Sequence, residues 1–300
     1  MVRVVVSELM DGDVVAGMTA WAEVTYDPAM SDALRGLLAD ADGLIVRNVT
    51  RVTRALLDEA PRLRVVGRLG TGTDNIDLAA CADRGIQVRT ATGANAVAVA
   101  EHALGAMLAL MRPALVTGHR VIAGEWPRQL MVGHELSGRR LGIVGVGAIG
   151  SALAERAAAL GMPVVGHDPF IAEAAIPLVD LDALAARSDV LALHVPLTPL
   201  TRGIVDGVLL DRLPPGALVI DCSRGGVVDH AAVIDRLRSG ALGGAALDVF
   251  PNEPVDAGSG ATYAAVPNLI LTPHVAGLTV ESNRRVSSMV AEAVRGVLAP

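Results

Sequence analysis

Leu141-Gly-Ile-Val-Gly-Val-Gly-Ala-Ile-Gly150, and the segment running on from it to His167-Asp168, decides how this 300-residue chain is read. Leu141–Val144 is apolar and partly β-branched, the pattern of a buried strand. Gly145, Gly147 and Gly150 spell G-x-G-x-x-G, and Ser151-Ala-Leu-Ala-Glu-Arg-Ala-Ala-Ala-Leu160 continues as a strong helix former. A second apolar strand is expected at 163–166, with Asp168 eighteen residues past the last glycine. Each part has a mechanical role in holding a dinucleotide. Gly145 permits the tight turn, Gly147 lets the backbone approach a pyrophosphate, and Gly150 lets helix pack on strand. The helix N-terminus offers N–H groups and a positive dipole end to the phosphates, and Asp168 can accept hydrogen bonds from the hydroxyl pair of a ribose. The glycine motif alone is weak in a chain with 32 glycines. Strand, motif, helix, strand and acid in that order are far more specific. The competing reading is a glycine-rich turn in an ordinary α/β protein.

Composition narrows the class. The length suggests about two domains. With 52% hydrophobic residues but only 2% aromatics, the core must be built from Ala, Val, Leu and Ile, which suits parallel sheets covered on both faces. A net charge of −7 argues against nucleic acid or an anionic membrane as partner. No lysine occurs, which removes Schiff-base chemistry and the Walker-type phosphate lysine. The longest apolar run, Ala96–Met111, is interrupted by Glu101 and His102 and falls short of the roughly 18 residues a membrane span needs, so it is expected to be a buried helix. The N-terminus lacks the apolar region of a signal peptide. Cys81 and Cys222 are too few for a disulfide framework or a cysteine metal site. A cytoplasmic protein without a metal is the expectation.

Along the chain, Val2–Val6, Gly43–Val46, 63–67 and 86–88 read as strands, with helices between them at 31–39, 53–60 and 75–84. This predicts a small parallel sheet. Its distinctive turn is Gly67-Arg68-Leu69-Gly70-Thr71-Gly72-Thr73-Asp74-Asn75, whose glycine-spaced N–H groups are candidates for a carboxylate nest, or simply for a strand-to-helix turn. Asn95 is placed to cap the helix 96–111, the bridge into a second domain. The polar stretch 113–140 holds Trp126, expected to be a packing anchor at a subunit interface. Further strands are expected at 190–194, Ala217–Asp221, 244–247 and 269–272, helices at 180–187, 202–212 and 229–239, and a surface excursion at 171–179. The helical pattern at 281–298 is expected to return to the first domain. The fold class is thus α/β, with two doubly wound parallel-sheet domains. A Rossmann cofactor domain spans 95–278, and a smaller flavodoxin-like substrate domain is made of 1–94 with 279–300.

Three charged groups follow strands of the second domain: Arg224 in Asp221-Cys-Ser-Arg-Gly-Gly, Asp248 in Leu-Asp-Val-Phe, and His274 in Thr-Pro-His-Val-Ala-Gly. Glu253, in Pro251-Asn-Glu-Pro, makes a fourth. All project from the carboxyl edge that carries the glycine turn. His274 is the candidate acid–base, because histidine alone titrates near neutrality without help, and Glu253 is its hydrogen-bond partner. Arg224 can hold a carboxylate bidentately and polarise the adjacent carbonyl. Taken singly, each has a plain alternative as a structural histidine, a surface cation or a loop-capping acid.

Gly-Val-Gly-Ala-Ile-Gly (145–150), Cys-Ser-Arg-Gly-Gly-Val-Val-Asp (222–229), Ala-Leu-Asp-Val-Phe-Pro-Asn-Glu-Pro (246–254) and Thr-Pro-His-Val-Ala-Gly (272–277) together resemble the D-isomer-specific 2-hydroxyacid dehydrogenases over nearly the whole chain. Val66-Gly-Arg-Leu-Gly-Thr-Gly-Thr-Asp-Asn-Ile-Asp and Ala91-Thr-Gly-Ala-Asn are similar to the 3-phosphoglycerate dehydrogenase branch. Ser7-Glu-Leu-Met-Asp, Gly124-Glu-Trp-Pro-Arg and Ala276-Gly-Leu-Thr-Val-Glu-Ser-Asn also resemble the 3-sulfolactate dehydrogenases within it. The resemblance implies Arg224, Glu253 and His274 as the catalytic trio. It further implies NAD contacts at Thr71, Ala148, Ile149, Asp168, Val195, Cys222, Ser223, Arg224, Asp248 and Gly277, and a homodimer through the cofactor domain. The family's regulatory C-terminal domains are absent from these 300 residues.

Asp168 would repel a 2′-phosphate, and Pro169-Phe170 supply no arginine to accept one, so NAD is expected over NADP. Arg47, Arg51 and Arg68 lie near strand ends of the small domain, and Arg128 is placed to come from a partner subunit. Arg47 and Arg68, with Leu69 and Gly70, are the candidates for binding a small carboxylate substrate with a second anionic group, phosphate or sulfonate. Solvated surface arginines are the plain alternative. Rival functions are a simple 2-oxo acid (glyoxylate or hydroxypyruvate) reductase, formate or phosphite oxidation, and an NAD-sensing co-repressor.

Overall fold

A computed structural model of the chain describes residues 1–28 and 34–299. The chain forms two compact units, Met1–Asn95 with Leu278–Pro300, and Ala96–Gly277.

The first unit is a parallel five-stranded sheet: β1 (Val2–Val6), β2 (Ala22–Tyr26), β3 (Gly43–Val46), β4 (Val65–Arg68) and β5 (Gln87–Thr90), in the order β2-β1-β3-β4-β5. This is a flavodoxin-like order, whose switch point lies between β1 and β3. Strand β2 and the helix Gly12–Met18 escape the sequence reading for physical reasons. The strand is an edge, and its Ala-Glu-Val-Thr-Tyr sequence is only partly covered. The helix is short and glycine-flanked, and it starts because the Asp11 carboxylate accepts the Asp13 and Val14 N–H groups. Of the helix expected at 31–39, Leu34–Leu38 is observed, and 31–33 lie outside the described residues. The helix expected at 75–84 begins at Leu78, because Asn75 Nδ2 donates to Thr50 O at 2.7 Å and Ile76 bridges to Val52. The long helix Val280–Leu298 lies on this sheet. Its Val286, Val290, Val294 and Leu298, one turn apart and at most 3% exposed, join Val4, Val6, Ile45 and Val65 in one core. Burying each such side chain is worth about 2 kcal/mol.

The second unit is a parallel six-stranded sheet: β6 (Leu141–Val144), β7 (Val164–His167), β8 (Val190–Leu193), β9 (Ala217–Asp221), β10 (Leu242–Leu247) and β11 (Leu269–Leu271), in the order β11-β10-β9-β8-β6-β7. Strands β6, β8 and β9 are buried along their whole length, as uninterrupted apolar sequence requires. The segment 171–179 is more than a surface excursion. Leu178 makes a single parallel bridge to Gly166 of β7, so the segment is pinned to the sheet edge at that one residue. The helix expected at 202–212 shrinks to Gly207–Leu210, capped by Asp206, because Val205 bridges to Val228 instead. Alanine-rich helices Ala96–Met111 and Ala148–Ala159 pack together through Ala103, Ala106, Met107, Leu153, Ala154 and Ala157. The expected cap on the first of them is not formed: Asn95 Oδ1 accepts no hydrogen bond among the described residues. Among those residues, no helix is long and apolar enough to cross a membrane.

Candidate active site

The glycine turn follows β6, at the switch between β6 and β8. Gly145 has φ +90°, and a Cβ on it would stand 2.6 Å from His194 O. A Cβ on Gly150 would stand 2.1 Å from the Gly145 carbonyl oxygen, so the helix could not seat against the turn. Gly147 is different, because an added Cβ meets nothing within 4 Å. Two glycines are therefore demanded by the protein's own packing, while the third leaves room bare beside the N-terminus of helix Ala148–Ala159. Asp168, just past β7, is fixed to this turn: Oδ2 accepts the Val146 N–H and Oδ1 the Phe170 N–H, each at 3.0 Å. A bare backbone at a helix N-terminus with an anchored acid beyond the next strand fits a dinucleotide's pyrophosphate and ribose. Val195, following β8, is half-buried against Gly145.

Arg224, Asp248 and His274 follow β9, β10 and β11 at the same carboxyl edge, as their strand positions require. The structure brings His274 and Glu253 together: Nδ1 lies 2.7 Å from Oε2, with both side chains about 30% exposed. Glu253 Oε1 accepts the Phe250 N–H at 2.9 Å. Burial alone would raise the Glu253 pKa, but the His274 and Phe250 bonds and the nearby Arg224 charge hold it below the usual range, keeping the carboxylate ionised. His274 Nδ1 is therefore the donor in this pair.

Asp248 is 2% exposed and holds the histidine's loop. Its Oδ1 accepts Thr272 Oγ1 at 2.6 Å and the Val275 N–H at 2.9 Å, its Oδ2 accepts the Ala276 N–H at 2.9 Å, and its own carbonyl takes the His274 N–H at 2.8 Å. These bonds keep His274 in left-handed backbone, φ +54°, a conformation non-glycine residues persist in only where surroundings over-determine it. Arg224 Nη1 donates to Ser223 O at 2.7 Å. Beneath it, Asp221 Oδ1 accepts both the N–H and the hydroxyl of Ser223. Asp221 itself is fully buried, its Oδ2 has no partner among the described residues, and burial pushes its pKa up to about 7. Burial also pushes the Cys222 thiol well up, so it is a neutral packing group.

In the first unit Arg47 follows β3, and Arg68 ends β4. Arg47 Nη2 donates to Asn283 Oδ1 at 2.5 Å, while Nε and Nη1 are shut from solvent with no partner among the described residues. Arg68 is 8% exposed and folds over its own turn, Nη1 donating to Leu69 O at 3.3 Å. In the stretch 67–75, read as a carboxylate nest or a strand-to-helix turn, the Gly70 N–H is already taken, donating to Arg68 O at 2.8 Å. Thr71 is exposed beside it. Sequence reasoning missed Asp221, Glu8 and Asn283 as site residues. The last two stood within the quoted segments Ser7-Glu-Leu-Met-Asp and Ala276-Gly-Leu-Thr-Val-Glu-Ser-Asn, but spacing assigned them no task.

An ionised carboxylate orienting an imidazole, at the same sheet edge as a turn shaped for a dinucleotide, is the residue set that a dinucleotide-dependent oxidoreductase needs. Residues 104–276 match the family model described as "D-isomer specific 2-hydroxyacid dehydrogenase, NAD binding domain", and the chain belongs to that family. It is similar to the (S)-sulfolactate dehydrogenase of Chromohalobacter salexigens, 47% identical over 304 residues that cover 98% of each chain. It is 36% identical to the D-3-phosphoglycerate dehydrogenase of a Synechocystis species, spanning 99% of this chain but 54% of that longer protein. Among solved structures, the TT0316 protein of Thermus thermophilus superposes with a TM-score of 0.90 at 32% identity, covering 99% of this chain and 96% of that one. The protein is an NAD-dependent 2-hydroxyacid dehydrogenase.

Proposed function

We propose that the substrate is a small 2-hydroxy or 2-oxo acid carrying a second, tetrahedral anionic group on C3, a sulfonate or a phosphate. The observation that supports this is Arg47. A guanidinium with two N–H-bearing nitrogens cut off from water and unbonded costs roughly 1–3 kcal/mol for each unmet group, or more because it is charged, unless an anion takes them. Arg68 is its proposed companion, with Leu69 and Gly70 shaping the turn. The similarity to a sulfolactate dehydrogenase supports the same class.

The catalytic trio of this reading is Arg224, Glu253 and His274. NAD, when bound, takes or returns the hydride at the substrate's C2. His274 takes the proton of the C2 hydroxyl on Nε2 during oxidation and returns it during reduction. Glu253 holds Nδ1–H, fixing the ring's tautomer and opposing the charge the imidazole gains. Arg224 holds the C1 carboxylate and polarises the C2 oxygen. Gly145, Gly147, Ala148, Ile149 and Gly150 are assigned to the pyrophosphate and Asp168 to the adenosine ribose. Thr71, Val195, Cys222, Ser223, Asp248 and Gly277 are assigned to the rest of NAD. Asp168 makes NAD the preferred form, because its charge opposes a 2′-phosphate.

A homodimer through the cofactor domain belongs to this reading. Leu115, Ile122, Trp126, Leu130 and Val132, spread over 113–132, are 66–89% exposed, an apolar set too large to leave to water. Sedimentation of Leu130→Glu should show dissociation, and an unchanged dimer would remove this arm from the interface. Two unpaired cysteines suit a reducing cytoplasm. The substrate reading is tested by kinetics of Arg47→Ala. Its KM should rise far more for 3-sulfopyruvate and 3-phosphohydroxypyruvate than for hydroxypyruvate, and equal effects would refute it.

A further inference from the structure

Crossing the switch point of the first sheet places the ends of β1 and β3 side by side, the position where open α/β sheets bind ligands. Here that position is filled by the chain's own carboxylate. Glu8, two residues past β1 and 5% exposed, accepts four consecutive backbone N–H groups after β3. Oε1 takes those of Arg47 at 2.8 Å and Thr50 at 2.9 Å, and Oε2 takes those of Asn48 at 3.0 Å and Val49 at 3.1 Å. A run of backbone N–H groups converging on one anion is a nest. Burial would raise the Glu8 pKa, but these four bonds bring it below the ordinary value, so the nest holds a carboxylate. Ser7 Oγ reinforces the same loop through Thr50 Oγ1 at 3.0 Å and Ile45 O at 3.3 Å. At the other end of the Arg47 side chain, Asn283 accepts from Nη2, and the helix Val280–Leu298 that carries it is anchored on the sheet.

We infer that Glu8 and Asn283 are positioning residues for substrate recognition. Glu8 fixes the backbone of 47–50, Asn283 fixes the tip of the Arg47 side chain through Nη2, and Nε and Nη1 are the nitrogens left without a partner among the described residues, for a tetrahedral oxyanion to take. This inference rests on the reading that Arg47 takes the substrate's second anionic group. Glu8 makes no claim on the substrate. Its carboxylate occupies the nest, so the substrate's anion must meet the guanidinium rather than the backbone.

The test compares Glu8→Gln, Asn283→Ala and Arg47→Ala with the unaltered enzyme. Kinetics are measured on 3-sulfopyruvate, 3-phosphohydroxypyruvate and hydroxypyruvate, with thermal melts alongside. Glutamine keeps the shape but turns an N–H donor toward backbone N–H groups, and alanine leaves Arg47 Nη2 unheld. The readout is the ratio of kcat/KM on each doubly anionic substrate to that on hydroxypyruvate. A structural defect alone lowers both values and leaves the ratio in place. The inference expects the ratio to fall about tenfold or more in all three variants, tenfold being the worth of one modest charged contact. If it falls in Arg47→Ala but holds in Glu8→Gln and Asn283→Ala, the positioning role is overturned and the Arg47 reading stands. If it holds in Arg47→Ala as well, both are overturned. A fall for one doubly anionic substrate only identifies whether sulfonate or phosphate is the group selected, and supports the inference for that group.

Discussion

Asp221→Asn should gain stability relative to the parent as the pH rises from about 4 to about 7, and keep that gain at alkaline pH. The side chain has no exposure, Oδ2 has no partner, and burial first, then the Asp248 charge, outweigh the Ser223 bonds and Arg224, which pull the other way. Its pKa is raised from 3.8 to about 7. A carboxyl whose folded pKa is raised gives stability that is fully present below its unfolded pKa and is lost as pH rises through the folded value. Between those limits the native state keeps a proton that the unfolded chain has released. Asparagine keeps an oxygen for the two Ser223 donors and never ionises, so the variant escapes the loss. Between pH 5 and pH 8 the gap between Asp221→Asn and the parent should widen in the variant's favour by roughly 3 kcal/mol, gained over the two or so pH units below the folded pKa of about 7. That is a large part of a typical 5–15 kcal/mol stability. Urea unfolding of both proteins at the two pH values measures it, since every other titrating group is common to both. A gap that stays the same at pH 5 and pH 8 would show that Asp221 is ionised in the native protein and refute the reasoning.

Other consequences can be checked as directly. His274→Ala should lose about 10²–10⁴ in kcat, the usual worth of a general acid–base, and a loss under tenfold would remove it from that role. Gly150→Ala should lower the melting temperature sharply, since its Cβ would lie 2.1 Å from a carbonyl oxygen. Gly147→Ala should melt like the parent yet bind NADH more weakly, and the opposite ranking would contradict the turn's assignment. Burial pushes His230 down to about 4, so the native state refuses a proton that the unfolded chain accepts. His230's share of the stability should therefore be lost as pH drops from about 6.5 toward 4, by roughly 3 kcal/mol, and His230→Asn should make that acid limb shallower in urea titrations, the rest of it staying with His194, which burial also pushes down to about 4. Asp168→Ser should bring the KM for NADPH toward that for NADH, whereas no change would mean another group discriminates.

Much of this protein is local and therefore legible. Uninterrupted apolar runs such as Leu141–Val144 and 190–193 could only be strands covered on both faces, and the G-x-G-x-x-G after the first of them fixed the dinucleotide turn. That Arg224, Asp248 and His274 share one edge was legible because each follows a strand, and parallel strands deliver their ends to one edge. Strand β2 was not, since an edge strand need not be apolar, nor was the helix at 12–18, whose start depends on one carboxylate rather than on periodicity. Asn95 had the chemistry of a cap but not the position. Only the tertiary structure could show that Glu8 serves residues about forty positions away, that Asn283 holds Arg47 from 236 positions on, and that Asp221 and Asp248 point inward while Glu253 faces a histidine. Sequence determines which groups are present and which element each belongs to. What a carboxylate does depends on the solvent it loses and the donors it gains, and both are supplied by segments remote in the chain.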